Sequence, residues 1–281
     1  MDNATAAKPN FWKKTLYIVY GVFCVLLFSY LLFPYYALKP KFEDALSRVI
    51  DMDVSINAIK PALPIGWTMI GLDISDEHVM DSLTLKPKIL PLFIGRFALG
   101  VKMTEGKGSL KGRIATTFLK IGNRIDVDLS MKKFELAVVR HFSKKLEELS
   151  GTVSGEVDVT YIKKEPERSK GEINLLVDNG QIPINIPGFP IAAIPFSKFE
   201  LKADMDKGLL KISKADLSGN DVSGNMRGDM KMGDSIENSD LNFVVGLRLS
   251  PAYRSFLGSS GNENVRISIG GKLGSPRTNF N

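Results

Sequence analysis

Side chains able to do chemistry are scarce in this chain of 281 residues. Histidine occurs twice, as His78 and His141, and cysteine once, as Cys24. A nucleophilic triad needs a histidine within reach of a serine or cysteine, and no GxSxG elbow is present. His78 lies in the polar turn SDEHVMD, and His141 sits on a short helical stretch that leaves it solvated. Ser130-Met131-Lys132-Lys133 matches an SxxK pattern on paper. That chemistry needs both residues on one helix face, whereas in a strand i and i+3 point to opposite faces. No Walker A loop, strand-following GxGxxG or HExxH occurs. The acidic groups Glu147-Glu148 and Asp73/Asp76/Glu77 read as solvated faces. One cysteine excludes a disulfide framework and any cysteine-built metal centre. The expectation is a binding or assembly protein rather than an enzyme, with no cofactor, no metal and no catalytic residue.

The elements that would carry such binding fall into two unlike parts. No charge separates Lys14 from Lys39, and Leu16 to Phe33 (LYIVYGVFCVLLFSYLLF) is an apolar run of 18 residues. Roughly 20 such residues, rising 1.5 Å each, cross a hydrocarbon core of about 30 Å. Phe11, Trp12 and Tyr17 at one end, and Tyr35 and Tyr36 at the other, suit the membrane–water interface. The run is too long for a signal-peptide core and lacks a small-x-small cleavage site. It predicts a single-pass anchor over 15–37 after a cytoplasmic tail, 1–14. Lys8, Lys13 and Lys14 balance Lys39, Lys41 and Arg48, so charge bias leaves the orientation tied. A short tail with an adjacent lysine pair favours the cytoplasm, with the bulk of the chain outside it.

Setting the anchor aside changes the meaning of the net charge of +6: the rest holds 34 basic and 30 acidic residues. With no arginine cluster and no basic helix, nucleic acid is excluded as a partner. Residues 38–52 form an amphipathic connecting helix, with Phe42, Ala45, Leu46, Val49 and Ile50 on one stripe. It either lies on the membrane surface or caps the end of a sheet, the latter being favoured.

From Asp53 the apolar period changes to two. Ile125, Val127, Leu129 and Met131 alternate with Arg124, Asp126, Asp128 and Ser130, and at least seven other segments behave alike. Short Gly, Asn, Asp and Ser links join them, which predicts an antiparallel meander with one apolar face. Helical stretches are few, so the sheet must close into a barrel, fold into a sandwich or curl into a groove. In a groove, Val157, Val159, Tyr161, Leu201, Ala203, Phe243 and Val245 would be the lipid-facing residues. Between a first β region, 53–180, and a second, 197–281, lies QIPINIPGFPIAAIPF, 181–196. Its four prolines argue against a helix or central strand. It is either a loop packed over the sheet or an apolar contact loop presenting Ile186, Phe189, Ile191 and Phe196.

Five passages carry a family resemblance: FPYYALKPKFEDAL after the anchor, LPIGWTMIGLDIS, LEELSGTVSGEVDVTY, KGLLKISKADLSGNDVSGNMRGDMKM and ISIGGKLGSPRTNF. Together they resemble the type II secretion system N proteins, and the last three are similar to the C-terminal part of AsmA-type envelope proteins. The first likeness implies an inner-membrane accessory of the secretion apparatus, with most of the chain in the periplasm and secretion-system proteins as partners. The second implies a phospholipid-binding or phospholipid-transferring envelope protein. Both imply a mainly β fold, in which one transmembrane helix precedes a long curled antiparallel sheet (an AsmA-like groove or flattened sandwich) with a few short helices.

Overall fold

The computed structural model describes residues 11–117, 123–140, 150–183, 193–251 and 264–280. Helix α1 (Phe11–Leu31) carries Lys13 and Lys14 near its start and no charge beyond them. Trp12–Leu31 is long and apolar enough to cross a membrane and has no fully buried residue, and Tyr30 near its end is partly buried against the core. A 3-10 turn (Tyr35–Leu38) leads into α2 (Lys39–Ile50), which has Pro40 in its first turn and ends at Asp51 in the left-handed region.

The strands then succeed one another as β1 (Val54–Pro61), β2 (Trp67–Ile74), β3 (Glu77–Lys88), β4 (Arg96–Glu105), β5 (Gly108–Thr117), β6 (Arg124–Glu135) and β7 (Thr152–Ile162). The second seven are β8 (Lys170–Pro183), β9 (Ala193–Asp206), β10 (Leu209–Ser218), β11 (Val222–Lys231), β12 (Asp240–Leu249), β13 (Asn264–Lys272) and β14 (Ser275–Phe280). Two one-turn helices, α3 (Ile89–Leu92) and α4 (Ala137–Arg140), sit in the connections. The 14 strands form one antiparallel sheet in chain order, and β1 does not pair with β14. The sheet is therefore open, and of the three predicted solutions the curled one is realised.

Antiparallel pairing keeps partner residues on the same face, so register alone shows how the sheet is lined. One line of partners runs Pro61, Trp67, Leu85, Val101, Gly112, Leu129, Val157 across β1–β7. It continues Ile173, Ala203, Ile212, Gly228, Phe243, Ile269 and reaches its first polar member, Thr278, on β14. On the opposite face a parallel line reads Lys86, Gly100, Arg113, Asp128, Asp158, Glu172, Asp204, Lys211, Asp229 and Asn242. The alternation predicted strand by strand is thus continuous from strand to strand.

Helix α2 deals with the first edge of this sheet. Glu43 Oε1 accepts from the Ile56 N–H at 2.8 Å and Ser47 Oγ from the Val54 N–H at 3.0 Å. Those bonds satisfy donors that an exposed edge strand would offer to another chain. Phe42 meets Trp67 with ring centroids 5.7 Å apart. Phe42, Leu46 and Ile50 pack on the core containing Ile56, Met69, Leu72 and Ile74. Capping of the sheet end, favoured from the helix pattern, is what α2 does here.

Curling is built into particular residues. Gly155 (φ +143) and Gly228 (φ +141) face the apolar side, and a Cβ on either would lie 2.0 Å from a neighbouring strand's carbonyl oxygen. Tyr161 on β7 donates to the Gly233 carbonyl at 2.9 Å. Four strand steps of about 4.8 Å would put those segments roughly 19 Å apart in a flat sheet. An internal repeat holds the same edge together. Val153-Ser154-Gly155 opens β7 as Val222-Ser223-Gly224 opens β11, and each hairpin turns through a short 3-10 helix into a fully buried serine. Ser169 Oγ accepts from Ile162 N–H and Ser239 Oγ from Gly233 N–H. Backbone bonds then link these turns in series, Gly208 N–H to Ser169 O and Met232 N–H to Gly208 O.

The proline-rich segment departs from expectation at both ends. Gln181–Pro183 and Ala193–Phe196 are strand, paired Gln181↔Pro195, Ile182↔Ile194 and Pro183↔Ala193. The prolines are tolerated because the hairpin outruns its neighbours. Pairing of β8 with β7 stops at Asp178, and pairing of β9 with β10 stops at Lys198. Beyond those points each strand has one free side, where a missing N–H costs nothing.

The edge seal is directly testable. Glu43→Ala with Ser47→Ala should lower amide hydrogen-exchange protection at Val54 and Ile56 and destabilise β1 by about 1 kcal/mol per lost bond. Unchanged protection at both amides would show that α2 does not cap the edge.

Candidate functional site

The apolar face is a lane at least three residues wide. Beside the line through Val157 runs a second, Ile59, Met69, Leu83, Met103, Leu110, Met131, Gly155, Leu175, Leu201, Ala215. On its other side a third runs from Pro87 through Leu99, Ile114, Val127, Val159, Gly171, Met205, Leu210, Met230 and Leu241. Lines two residues apart are separated by about 7 Å, and 13 strand steps span about 60 Å along the sheet. α2 packs at its β1–β2 end, and Val138 of α4, with Leu136 and Val139, packs on it farther along.

The seven residues predicted to line a groove all fall on this face. Val157, Ala203 and Phe243 share the central line, Leu201 belongs to the second, and Val159 to the third. Val245 pairs with Met226 and Ile267 on the same side. Tyr161 pairs with Ile125, but its hydroxyl is committed to Gly233, so it clasps the curl as well as lining it. Burial, then the charge of Asp234, pushes the Tyr161 phenol above its ordinary range. Val245 and Phe196 meet in a cavity of about 460 Å³ with Val177, Phe199, Leu217 and Leu247. Phe196 thus belongs to the groove wall, stacked edge-on with Phe199 at 6.5 Å. Ile186, Phe189 and Ile191 lie outside the described residues, as does His141.

Sequence reasoning passed over two features. The apolar connection Ile89–Ile94 carries a signal that periodicity does not detect: a run of large hydrophobics between Lys88 and Arg96. The other is the surroundings of His78. Its Nδ1 lies 2.8 Å from Asp73 Oδ1, and its Nε2 lies 3.4 Å from Asp81 Oδ1 and 3.8 Å from Glu105 Oε2. Three of these groups, His78, Asp81 and Glu105, have ligand atoms within 4.8 Å of one another, the spacing of a possible metal site. Both carboxylates already accept backbone bonds, Glu105 from Asp81 N–H at 2.9 Å and Asp81 from Gly106 N–H at 2.8 Å. The cluster therefore ties the β2–β3 turn to the β4–β5 turn.

Residues 115–279 match the family model described as TamB, N-terminal domain, over more than half of the chain. The chain belongs to the TamB N-terminal domain family. That finding overturns the resemblance to type II secretion system N proteins. The passages that suggested it consist of alternation and glycine placement, which any curled one-sided sheet requires, so they discriminate poorly between families. The match begins at Ala115 near the end of β5 and covers the remaining strands, including most of the lane. No curated protein and no solved structure matches the chain. Membership in the TamB family agrees with an envelope protein attached to a membrane, and the apolar, unburied α1 fits a single-pass anchor.

The His78 cluster predicts a pH dependence. Hydrogen bonding to Asp73, against some desolvation, holds the imidazole above the ordinary histidine range. A raised folded value contributes stability that is fully present below the unfolded pKa near 6.5 and is lost as pH rises through the folded value. The thermal midpoint should therefore exceed that of His78→Ala by more at about pH 5.5 than at about pH 8.5. An equal difference at both would contradict the linkage.

Proposed function

We propose that the protein is held in the bacterial inner membrane by α1, with residues beyond 37 in the periplasm, and that its apolar lane binds and conducts phospholipid acyl chains. Envelope proteins would be its partners, and the chain would act by binding rather than catalysis. The observation that carries this reading is the unbroken apolar register across consecutive strands, over which the described residues place α2 with the turn before it at one end and the single turn of α4 near β6 and β7, but no continuous second layer. A soluble sheet of this kind would need a partner layer, because exposing contiguous apolar surface beyond a few hundred Å² is rare. Acyl chains supply that layer and can slide along it, since no charged side chain interrupts the central line between Trp67 and Ile269. Membership in the TamB family supports an envelope role, and the polar outer face suits an aqueous compartment.

Alternation supplies an internal control. The full chain, isolated gently and stripped of loose detergent-exchangeable lipid, should retain phospholipid in native mass spectrometry. Val159→Asp places a carboxylate in the lane and should lower retention by about ten-fold or more, because an unpaired charge is costly in apolar surroundings. Asp158→Ala, one residue away on the outer face, should retain wild-type levels. Equal lipid in all three proteins, or none in the wild type, would refute the reading.

A further inference from the structure

The described turns of this sheet are mostly polar with single exposed apolar residues such as Ile236 and Leu273, whereas clusters of them occur in two neighbouring connections. The β7–β8 turn reads KKEPERS, the β11–β12 turn MGDSIENS and the β9–β10 turn Lys207-Gly208. The β1–β2 turn instead exposes Leu63 (57%) and Ile65, and the β3–β4 connection exposes Leu90 (82%), Phe93 (82%) and Ile94 (72%). Those two connections lie on the same edge of the sheet, because β1 and β3 run the same way. Pro64 and Ile65 also share one surface depression with Ile89, Leu90 and Pro91.

The same place is fastened to the membrane helix. Tyr30, in the last turn of α1, donates to the Gly66 carbonyl at 2.7 Å and accepts from the Gly66 N–H at 3.0 Å. The Ala62 carbonyl stands 3.1 Å from the same hydroxyl. The β1–β2 turn is thereby fixed at the end of the candidate span, with the β3–β4 connection beside it. The depression between them holds about 760 Å³ and is lined by Lys86, Lys88 and Arg113, with Asp128 the one acidic member. Large apolar side chains flanked by cations are the pattern of a segment lying at the headgroup–acyl boundary of an anionic bilayer.

We propose that the β3–β4 connection is a second membrane contact. Leu90, Phe93 and Ile94 insert into the leaflet from which α1 emerges, and Lys86, Lys88 and Arg113 meet the phosphates of anionic phospholipid. This rests on the reading of α1 as a membrane anchor and is independent of lipid binding in the lane. The contact sets the first strands, and with them the beginning of the lane, at the membrane surface rather than at the end of a free tether.

The test uses the full chain with Cys24 replaced by serine, and an environment-sensitive fluorophore on a single new cysteine at Phe93, Val19 or Asp76. Proteins are reconstituted into vesicles of phosphatidylcholine with phosphatidylglycerol, with nitroxide lipids as quenchers. Labels at 19 and 93 should both be quenched, and the label at 76, on the opposite sheet edge, should stay in water. Lys86→Ala with Lys88→Ala should shift the label at 93 toward water, each lysine changing the local equilibrium about five-fold. Quenching at 19 with a water-exposed label at 93 overturns the second contact alone. A label at 19 that escapes quenching overturns the anchor on which it rests. Lipid-independent burial at 93 that falls on dilution of labelled into unlabelled chains assigns the patch to a second copy of the chain and also overturns the proposal.

Discussion

The structure depends on one constraint: a long antiparallel sheet whose strands are largely apolar on alternate residues, paired so that apolar residues meet apolar residues from strand to strand. A register shift of one residue would turn apolar side chains outward. Bulges do occur, between Ile212 and Lys214 and between Met131 and Phe134, yet the lines through Ala203–Ile212 and Leu129–Val157 survive them. The consequence is an apolar surface that grows with each strand, while among the described residues α2 covers its beginning and the single turn of α4 a patch near β6 and β7. Closing the sheet would remove the problem, but β1 and β14 remain apart, and α2 occupies the edge that β1 would need for closure.

Curvature therefore takes the place of a second layer. Residues with no side chain lie on the inner face where neighbouring strands approach most closely, at Gly155 and Gly228. Polar groups at the turns lock the bend. The buried hydroxyls of Ser169 and Ser239 hold equivalent hairpins, and Tyr161 reaches across to Gly233. The outer face is tied more loosely by ion pairs such as Glu200–Lys214 at 2.8 Å, which contribute little at such exposure. The inner face stays half-buried, accessible from the groove and screened from bulk water.

Much of this was legible in the chain itself. The anchor, the stripe of α2 and the strands with Val, Ile, Leu or Phe at alternate positions announce themselves by period. Two strands are harder to read by period: β5, GSLKGRIATT, and β11, VSGNMRGDMK, place Gly112 and Gly228 where the pattern asks for a large side chain. The curl that makes glycine the right inner residue is a property of the whole sheet, so no local window shows it. The prolines at 183 and 195 misled for a similar reason, since only the register of four strands reveals that the hairpin tip has free sides. The family assignment failed where its motifs were consequences of the architecture. The His78 cluster was invisible because Glu105 comes from a different hairpin.

The central claim is that the inner face of the sheet contacts lipid along its length while the outer face does not. Site-specific photocrosslinking in living cells reads this directly, with a photoreactive amino acid placed in turn at Leu129, Ile173, Ile212 and Ile269 and at the adjacent Asp128, Glu172, Lys211 and Gly270. Phospholipid adducts at the first four and none at the second four is the predicted result. Adducts on both faces alike, or protein adducts alone on the inner face, would contradict it.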